Sequence, residues 1–274
     1  MNKLIATLSV ATLLVACGQS ADTPEPEVAA ESNKIFDMPY LQRDLENGLR
    51  VVIVPTDYPD IVTIQIPVQT GSRNEIEPGK TGFAHFFEHM MFRGTEQYPA
   101  DVYADILKKA GADQNAYTSS DLTNYHITFT KDDLEKVIEI EADRFQNLSY
   151  TEDVFRTEAL AVKGEYLKNF SNPFSKMYER ISDLMFSEHT YKHTTMGFIE
   201  DIEAMPDQLE YSKVFFDRWY RPEKTTVILV GDLDAEATFK LVEKYWGNWE
   251  RGDYDIDVPV EPPLGGPKYE HLQW

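Results

Sequence analysis

Cysteine is almost missing from this chain: its 274 residues include one, Cys17. A single thiol excludes an intrachain disulfide framework, a zinc ribbon and any thiolate cluster, so a bound metal would rely on histidine and carboxylate. Positive charge is scarce too. Against 47 acidic residues stand 26 basic ones, a formal net charge of −21 and a pI near 4.6. That deficit argues against nucleic-acid binding, which needs a basic face to neutralise phosphates, and against polybasic docking on an anionic membrane. No internal repeat is found, and 14 Gly and 15 Pro exclude a fibrous one. What is present can fill a core: 42% of residues are hydrophobic and 12% aromatic.

The amino terminus reads as an address. Asn2 and Lys3 make a short polar start, followed by an apolar run from Leu4 to Ala16. The run falls short of the ~20 residues of a spanning helix and fits the h-region of a secretory signal. Cys17 closes it in Leu14-Val15-Ala16-Cys17, resembling a bacterial lipobox. The expectation is a signal peptide over 1–16, cleavage before Cys17, and diacylation of its thiol. Two or three acyl chains, at ~0.8 kcal/mol per buried methylene, anchor a protein stably. Gly18 follows instead of the Asp associated with inner-membrane retention, which favours the outer membrane and a periplasmic location. Residues 17–33 read as a flexible tether, rich in Ala, Glu, Pro and Ser.

Residues 34–258 read as one folded domain. Beyond it, Pro259, Pro262, Pro263, Gly265, Gly266 and Pro267 mark an interdomain linker or the start of a second domain over 259–274. Strands are expected over 49–54 after the Asn47-Gly48 turn, 61–68, 115–119, 124–130 and 225–230. In the second of these Val62, Ile64, Ile66 and Val68 alternate with polar residues, and Pro67 places it near an edge. Helices are expected over 81–93, 101–109, 132–148, 153–169, 174–186, 207–219 and 235–246. Strands, a block of helices, then a returning strand give an α+β fold, a mixed, mainly antiparallel sheet packed with helices.

The chemistry concentrates in His85-Phe86-Phe87-Glu88-His89. On a helix His85 and His89 stand one turn apart on one face, close enough for both imidazoles to reach one ion at ~2.0–2.1 Å. Glu88 shares that side and reaches a metal-bound water without being a ligand. The order His-x-x-Glu-His is the inverted zincin motif. Flanking Phe83, Ala84, Met90, Met91 and Phe92 make the helix mostly buried, where two unpaired histidines and a carboxylate would cost several kcal/mol. A catalytic zinc usually takes three protein ligands. His126 reads as a core or sheet-face residue, and His189 and His193 as surface. Among carboxylates, Glu141, Glu158 and Glu165 each interrupt an apolar helical face, and periodicity alone leaves all three open.

The sequence resembles the pitrilysin/insulinase family of zinc metallopeptidases, and within it the bacterial members similar to mitochondrial processing peptidase. The likeness rests on Gly71-Ser72-Arg73-Asn74-Glu75, on Gly82 to Thr95 around the histidine pair, on Asn115-Ala116-Tyr117-Thr118 with Asp121, Thr123 and Tyr125, and on Val230-Gly231-Asp232. The resemblance implies one zinc per chain held by His85, His89 and Glu165, with Glu88 as catalytic base. It implies that Glu158 supports the site, and that Asn115 and Ala116 lie on an edge strand that pairs with a peptide substrate. It implies a second metallopeptidase-type domain or protomer as partner. Gly164 and Ala159 depart from the family pattern, where acidic and Arg residues are common. The resulting expectation is a lipid-anchored zinc endopeptidase acting on peptides or unfolded segments. The alternative is a non-catalytic subunit, or a half that needs a partner domain.

Overall fold

The computed structural model describes residues 38–273. The signal over 1–16, Cys17 and the tether over 17–33 lie outside the described residues. The described residues form one six-stranded sheet in the order β1-β2-β6-β3-β5-β4. Its strands are β1 (Leu41–Asp44), β2 (Arg50–Pro55), β3 (Ile61–Val68), β4 (Asp113–Thr118), β5 (Thr123–Thr130) and β6 (Thr226–Gly231). Only β2 and β6 run parallel; every other pairing is antiparallel. The helices are α1 (Phe83–Met90), α2 (Ala100–Lys109), α3 (Leu134–Asn147), α4 (Glu152–Asn169), α5 (Pro173–Met185), α6 (Ile199–Ala204), α7 (Leu209–Trp219) and α8 (Ala235–Trp246). This is the α+β arrangement expected, with β1 and α6 added. No helix among the described residues is long and apolar enough to cross a membrane.

Alternation decides the faces of the sheet. Val62, Ile64, Ile66 and Val68 of β3 and Tyr125, Ile127 and Phe129 of β5 are buried against the helices. The opposite face carries polar cross-strand pairs: Thr63 and Thr128 hydroxyls at 2.9 Å, and Asn124 Nδ2 donating to Gln65 Oε1 at 2.7 Å. Over the apolar face lies an aromatic core. Phe87 of α1 stacks on Phe215 of α7 with centroids 5.3 Å apart, and Phe145 of α3 meets Tyr125 and Trp246, each at 5.4 Å.

Pro67 does not mark an edge. β3 is interior, between β6 and β5. Gln69 N–H donates to Lys224 O on the β6 side. Residues two apart direct their N–H groups to the same side, so the Pro67 nitrogen also faces β6. The β3–β6 ladder is interrupted there, between Gln65↔Ile228 and the isolated bridge Val68↔Thr225. The missing donor costs one rung and not a strand neighbour.

Helix α1 is shorter than the pattern 81–93 because both ends are fixed by other groups. At its start Gly82 has φ 92°, and an added Cβ would lie 2.5 Å from Ile202 Cδ1. The buried Glu75 carboxylate accepts from Gly82 N at 2.8 Å and Ala84 N at 2.7 Å, satisfying donors that a helix start leaves free. At its end Phe92 N–H bonds His89 O and Arg93 N–H bonds Met90 O, a tightening of the last turn.

Candidate metal centre

Helices α1 and α4 meet where the inverted motif faces outward. Phe83, Phe86 and Phe87 point into the core, which turns His85, Glu88 and His89 toward α4 and β4. His85 is buried, whereas Glu88 and His89 are half-buried. From α4, Glu165 Oε2 lies 3.7 Å from His85 Nε2 and 3.4 Å from His89 Nε2. One ligand atom from each of His85, His89 and Glu165 falls within 4.8 Å of the others. Four ligands around an ion with bonds of ~2.0–2.1 Å stand about 3.4 Å apart, so two nitrogens and an oxygen at these spacings fit a zinc ion with little movement.

The other two carboxylates are occupied differently. Glu158, two turns before Glu165 on α4, faces the far nitrogen of His89, with Oε2 3.6 Å from Nδ1. Its other oxygen is paired with Arg93. A carboxylate behind an imidazole fixes which ring nitrogen is free to bind a metal. Glu141 is remote from this chemistry. It is fully buried in an ion pair with Arg144, whose Nε lies 2.9 Å and Nη2 2.5 Å away, and it accepts Tyr103 OH at 2.7 Å. Of the three carboxylates left open by periodicity, Glu165 is the one brought against both imidazoles.

Electrostatics sorts the group further. Burial, with His89 beside it, lowers the His85 imidazole to about 4, which keeps its ring neutral and able to donate a lone pair. His89 is raised, chiefly by Glu158. Glu88 is raised by burial, against the opposing bond from Thr118 Oγ1 to its Oε2 at 2.6 Å. Burial pushes Glu158 upward, yet its contacts with His89 and Arg93 win and hold it below the usual carboxylate range.

Asn115 and Ala116 sit on β4, the outermost strand of the sheet. Ser119 N–H donates to Leu122 O across the β4–β5 turn. By the alternation of N–H directions, Gln114, Ala116 and Thr118 direct theirs to the open edge. Asn115 Oδ1 covers one of them, accepting from Ala116 N at 2.9 Å.

Two partners were missed as site residues although the motif included them. Arg93 lies four residues after His89, just past the end of α1, and that spacing was the available signal. Thr118 reaches Glu88 from a separate strand, for which local sequence offers none. His193 is a correction: it is buried, not on the surface, with Nδ1 3.7 Å from Glu75 Oε2. His126 stays half-buried on β5, and His189 accepts Tyr191 N–H at 3.0 Å as a cap.

A mixed α+β sheet with an inverted His-x-x-Glu-His helix and a glutamate from a second helix defines a metallopeptidase-type domain. The chain belongs to the family described as "Insulinase (Peptidase family M16)", whose model matches residues 50–198. A second model, "Peptidase M16 inactive domain", matches residues 209–273. The zinc protease PqqE of Helicobacter pylori is 33% identical over 242 residues, covering 84% of this chain and 54% of the relative. The probable zinc protease PqqL of Escherichia coli is 30% identical, covering 73% of this chain and 22% of the relative. A crystal structure of a protease from Helicobacter pylori aligns with a TM-score of 0.77 at 30% identity, over 82% of this chain and 54% of that one. The first half of the periplasmic protease PqqL from Escherichia coli aligns with a TM-score of 0.70 at 26% identity, over 81% and 48%. The chain thus spans about half the length of the first of these relatives.

Proposed function

We propose that this chain is the metal-bearing part of a zinc endopeptidase. One observation carries the reading: two imidazoles and a carboxylate from separate helices converge within 4.8 Å, with Glu88 beside them. In this reading His85, His89 and Glu165 hold one zinc ion, and Glu158 orients His89 through Nδ1. Zinc, when bound, supplies a Lewis acid that polarises a peptide carbonyl and acidifies water. Glu88, raised by burial, takes a proton from the attacking water and returns it to the leaving amine. Thr118 holds the Glu88 carboxylate in position. The open edge of β4 at Asn115 and Ala116 pairs with the backbone of a peptide or unfolded segment; such pairing is sequence-tolerant. Lipid anchoring at Cys17, with the outer membrane favoured, and a periplasmic location complete the proposal, in keeping with PqqL of Escherichia coli, a periplasmic protease.

The test combines metal analysis with peptide hydrolysis. Wild type should hold one zinc, and Glu88→Gln should retain it while hydrolysis falls at least a hundredfold, roughly the contribution of general acid–base catalysis. Zinc lost in Glu88→Gln, or hydrolysis kept, would refute the assignment. A second reading takes its support from the chain covering 54% of its relative: in it, hydrolysis needs a further domain or protomer. Hydrolysis that appears only after adding such a domain supports it.

A further inference from the structure

The two imidazoles of the metal group are supported unequally from behind. His85 Nδ1 is buried and has no hydrogen-bond partner among the described residues. His89 Nδ1 faces Glu158 Oε2 at 3.6 Å, just beyond hydrogen-bond length. That oxygen is buried as well and has no hydrogen-bond partner, so His89 Nδ1–H is the donor facing it. The direction of this contact matters. A carboxylate that only accepts leaves the His89 proton on Nδ1 and a lone pair on Nε2, the nitrogen 3.4 Å from Glu165. The opposite tautomer would turn an N–H toward the ion and could not bind it.

Glu158 is in turn held by Arg93. Its Oε1 pairs with Arg93 Nη2, and the carboxylate is 3% exposed while the guanidinium is 45% exposed. A carboxylate fixed at one oxygen cannot rotate freely, so the other oxygen keeps its aim. Arg93 is itself placed by the turn that follows α1. Its N–H bonds Met90 O at 2.9 Å, and Ser149 N–H bonds Gly94 O at 3.3 Å. Gly94 has φ 83°, and a Cβ there would lie 2.5 Å from Tyr98 O. The same turn bridges Thr95 to Leu148, shortly before the chain enters α4 and reaches Glu158. The cation and the carboxylate it grips therefore share one anchored junction between α1 and α4.

We propose that Arg93 is a positioning residue for the metal: by holding Glu158 Oε1 it aims Oε2 at His89 Nδ1, which keeps the proton there and presents Nε2 to the ion. The inference rests on the metal site of the reading above. Arg93 touches neither ion nor substrate in it and acts through Glu158 alone. Because His85 has no such support, the orientation of the ligand set depends on this one relay.

The test measures zinc affinity by competition with a chromophoric chelator. Arg93→Met should weaken binding about tenfold or more, the usual size for an outer partner of a metal ligand. Arg93→Lys, which keeps the charge and a donor for Oε1, should recover most of that loss. In a Glu158→Ala background Arg93→Met should weaken binding by less than about twofold, because the group it acts through is gone. A merely structural role would give the same loss in both backgrounds. A second measurement needs no variant to fold. Nitrogen NMR shifts of the imidazole rings in the metal-free wild type, in alkaline buffer where His89 is neutral, should place its proton on Nδ1; in Arg93→Met the Nε2–H form should become populated. Unchanged zinc affinity in Arg93→Met, an equal loss in the Glu158→Ala background, or a wild-type His89 protonated on Nε2 each overturn the proposal. If Arg93→Met shifts the tautomer but no variant or wild type binds zinc, the metal reading fails and the positioning stands. If zinc binds and is lost in His85→Ala while Arg93→Met holds it as tightly as wild type, the positioning alone fails.

Discussion

Glu141 and Glu165 both interrupt apolar helical faces, and their surroundings give them opposite roles. Glu141 is fully buried beside Arg144, which is 2% exposed. Removing the carboxylate strands a buried guanidinium, so Glu141→Ala should destabilise the fold by ~3–5 kcal/mol in urea denaturation. The fraction that stays folded should keep its zinc. Glu165→Ala should do the reverse: zinc content falls sharply, and stability of the metal-free chain barely moves. Glu75 carries a pH dependence of its own. Burial pushes its carboxyl up from 4.5 to about 8, against two backbone N–H bonds. The folded chain therefore holds a proton that the unfolded chain releases near pH 4.5. Its stabilising contribution is complete below about pH 4.5 and is lost as pH rises through about 8. The difference in urea midpoint between wild type and Glu75→Gln should shrink over that window; a difference independent of pH would contradict the protonated assignment.

At the scale of elements, α4 contains a removable weakness. Gly164 is exposed in mid-helix, and a Cβ there would meet nothing within 4 Å. Gly164→Ala should raise stability by up to ~1 kcal/mol in a thermal melt without changing zinc content, because the backbone already has helical geometry. Gly82→Ala should lower stability, since φ 92° and the contact with Ile202 both oppose a side chain. Helices were legible where each writes its own 3.6-residue period: α3, α7 and α8 lie within a few residues of their expected spans. β1 was not, because its four residues are half-buried or exposed and show no alternation. The edge assignment for Pro67 failed for a different reason. A proline reports a missing donor, and only the partner strand reveals whether a ladder rung was needed there.

Across the whole molecule, legibility falls with distance along the chain. The histidine pair sits within one helical turn and could be read directly, whereas its approach to Glu165 depends on how α1 packs against α4. The order β1-β2-β6-β3-β5-β4 brings the last strand to the middle of the sheet, a long-range pairing that local patterning does not encode. The same limit applies to residues 247–273, which form no regular element yet are held by a few contacts. Glu261 accepts the N–H groups of Ser187, Glu188 and His189, all at 2.8–2.9 Å, together with Ser187 Oγ. These bonds lower its carboxyl to about 2, so it is ionised throughout the physiological range. Lys268 Nζ reaches Leu184 O, and Arg180 pairs with Glu270. The segment thus grips α5 and the loop leading to His193. Because these contacts are exposed, they should matter locally and not globally. Glu261→Ala should speed amide hydrogen exchange at Ser187, Glu188 and His189 while leaving the urea midpoint and zinc content unchanged. If exchange there stays at wild-type rates, the loop is held by its own packing and the carboxylate clasp is incidental.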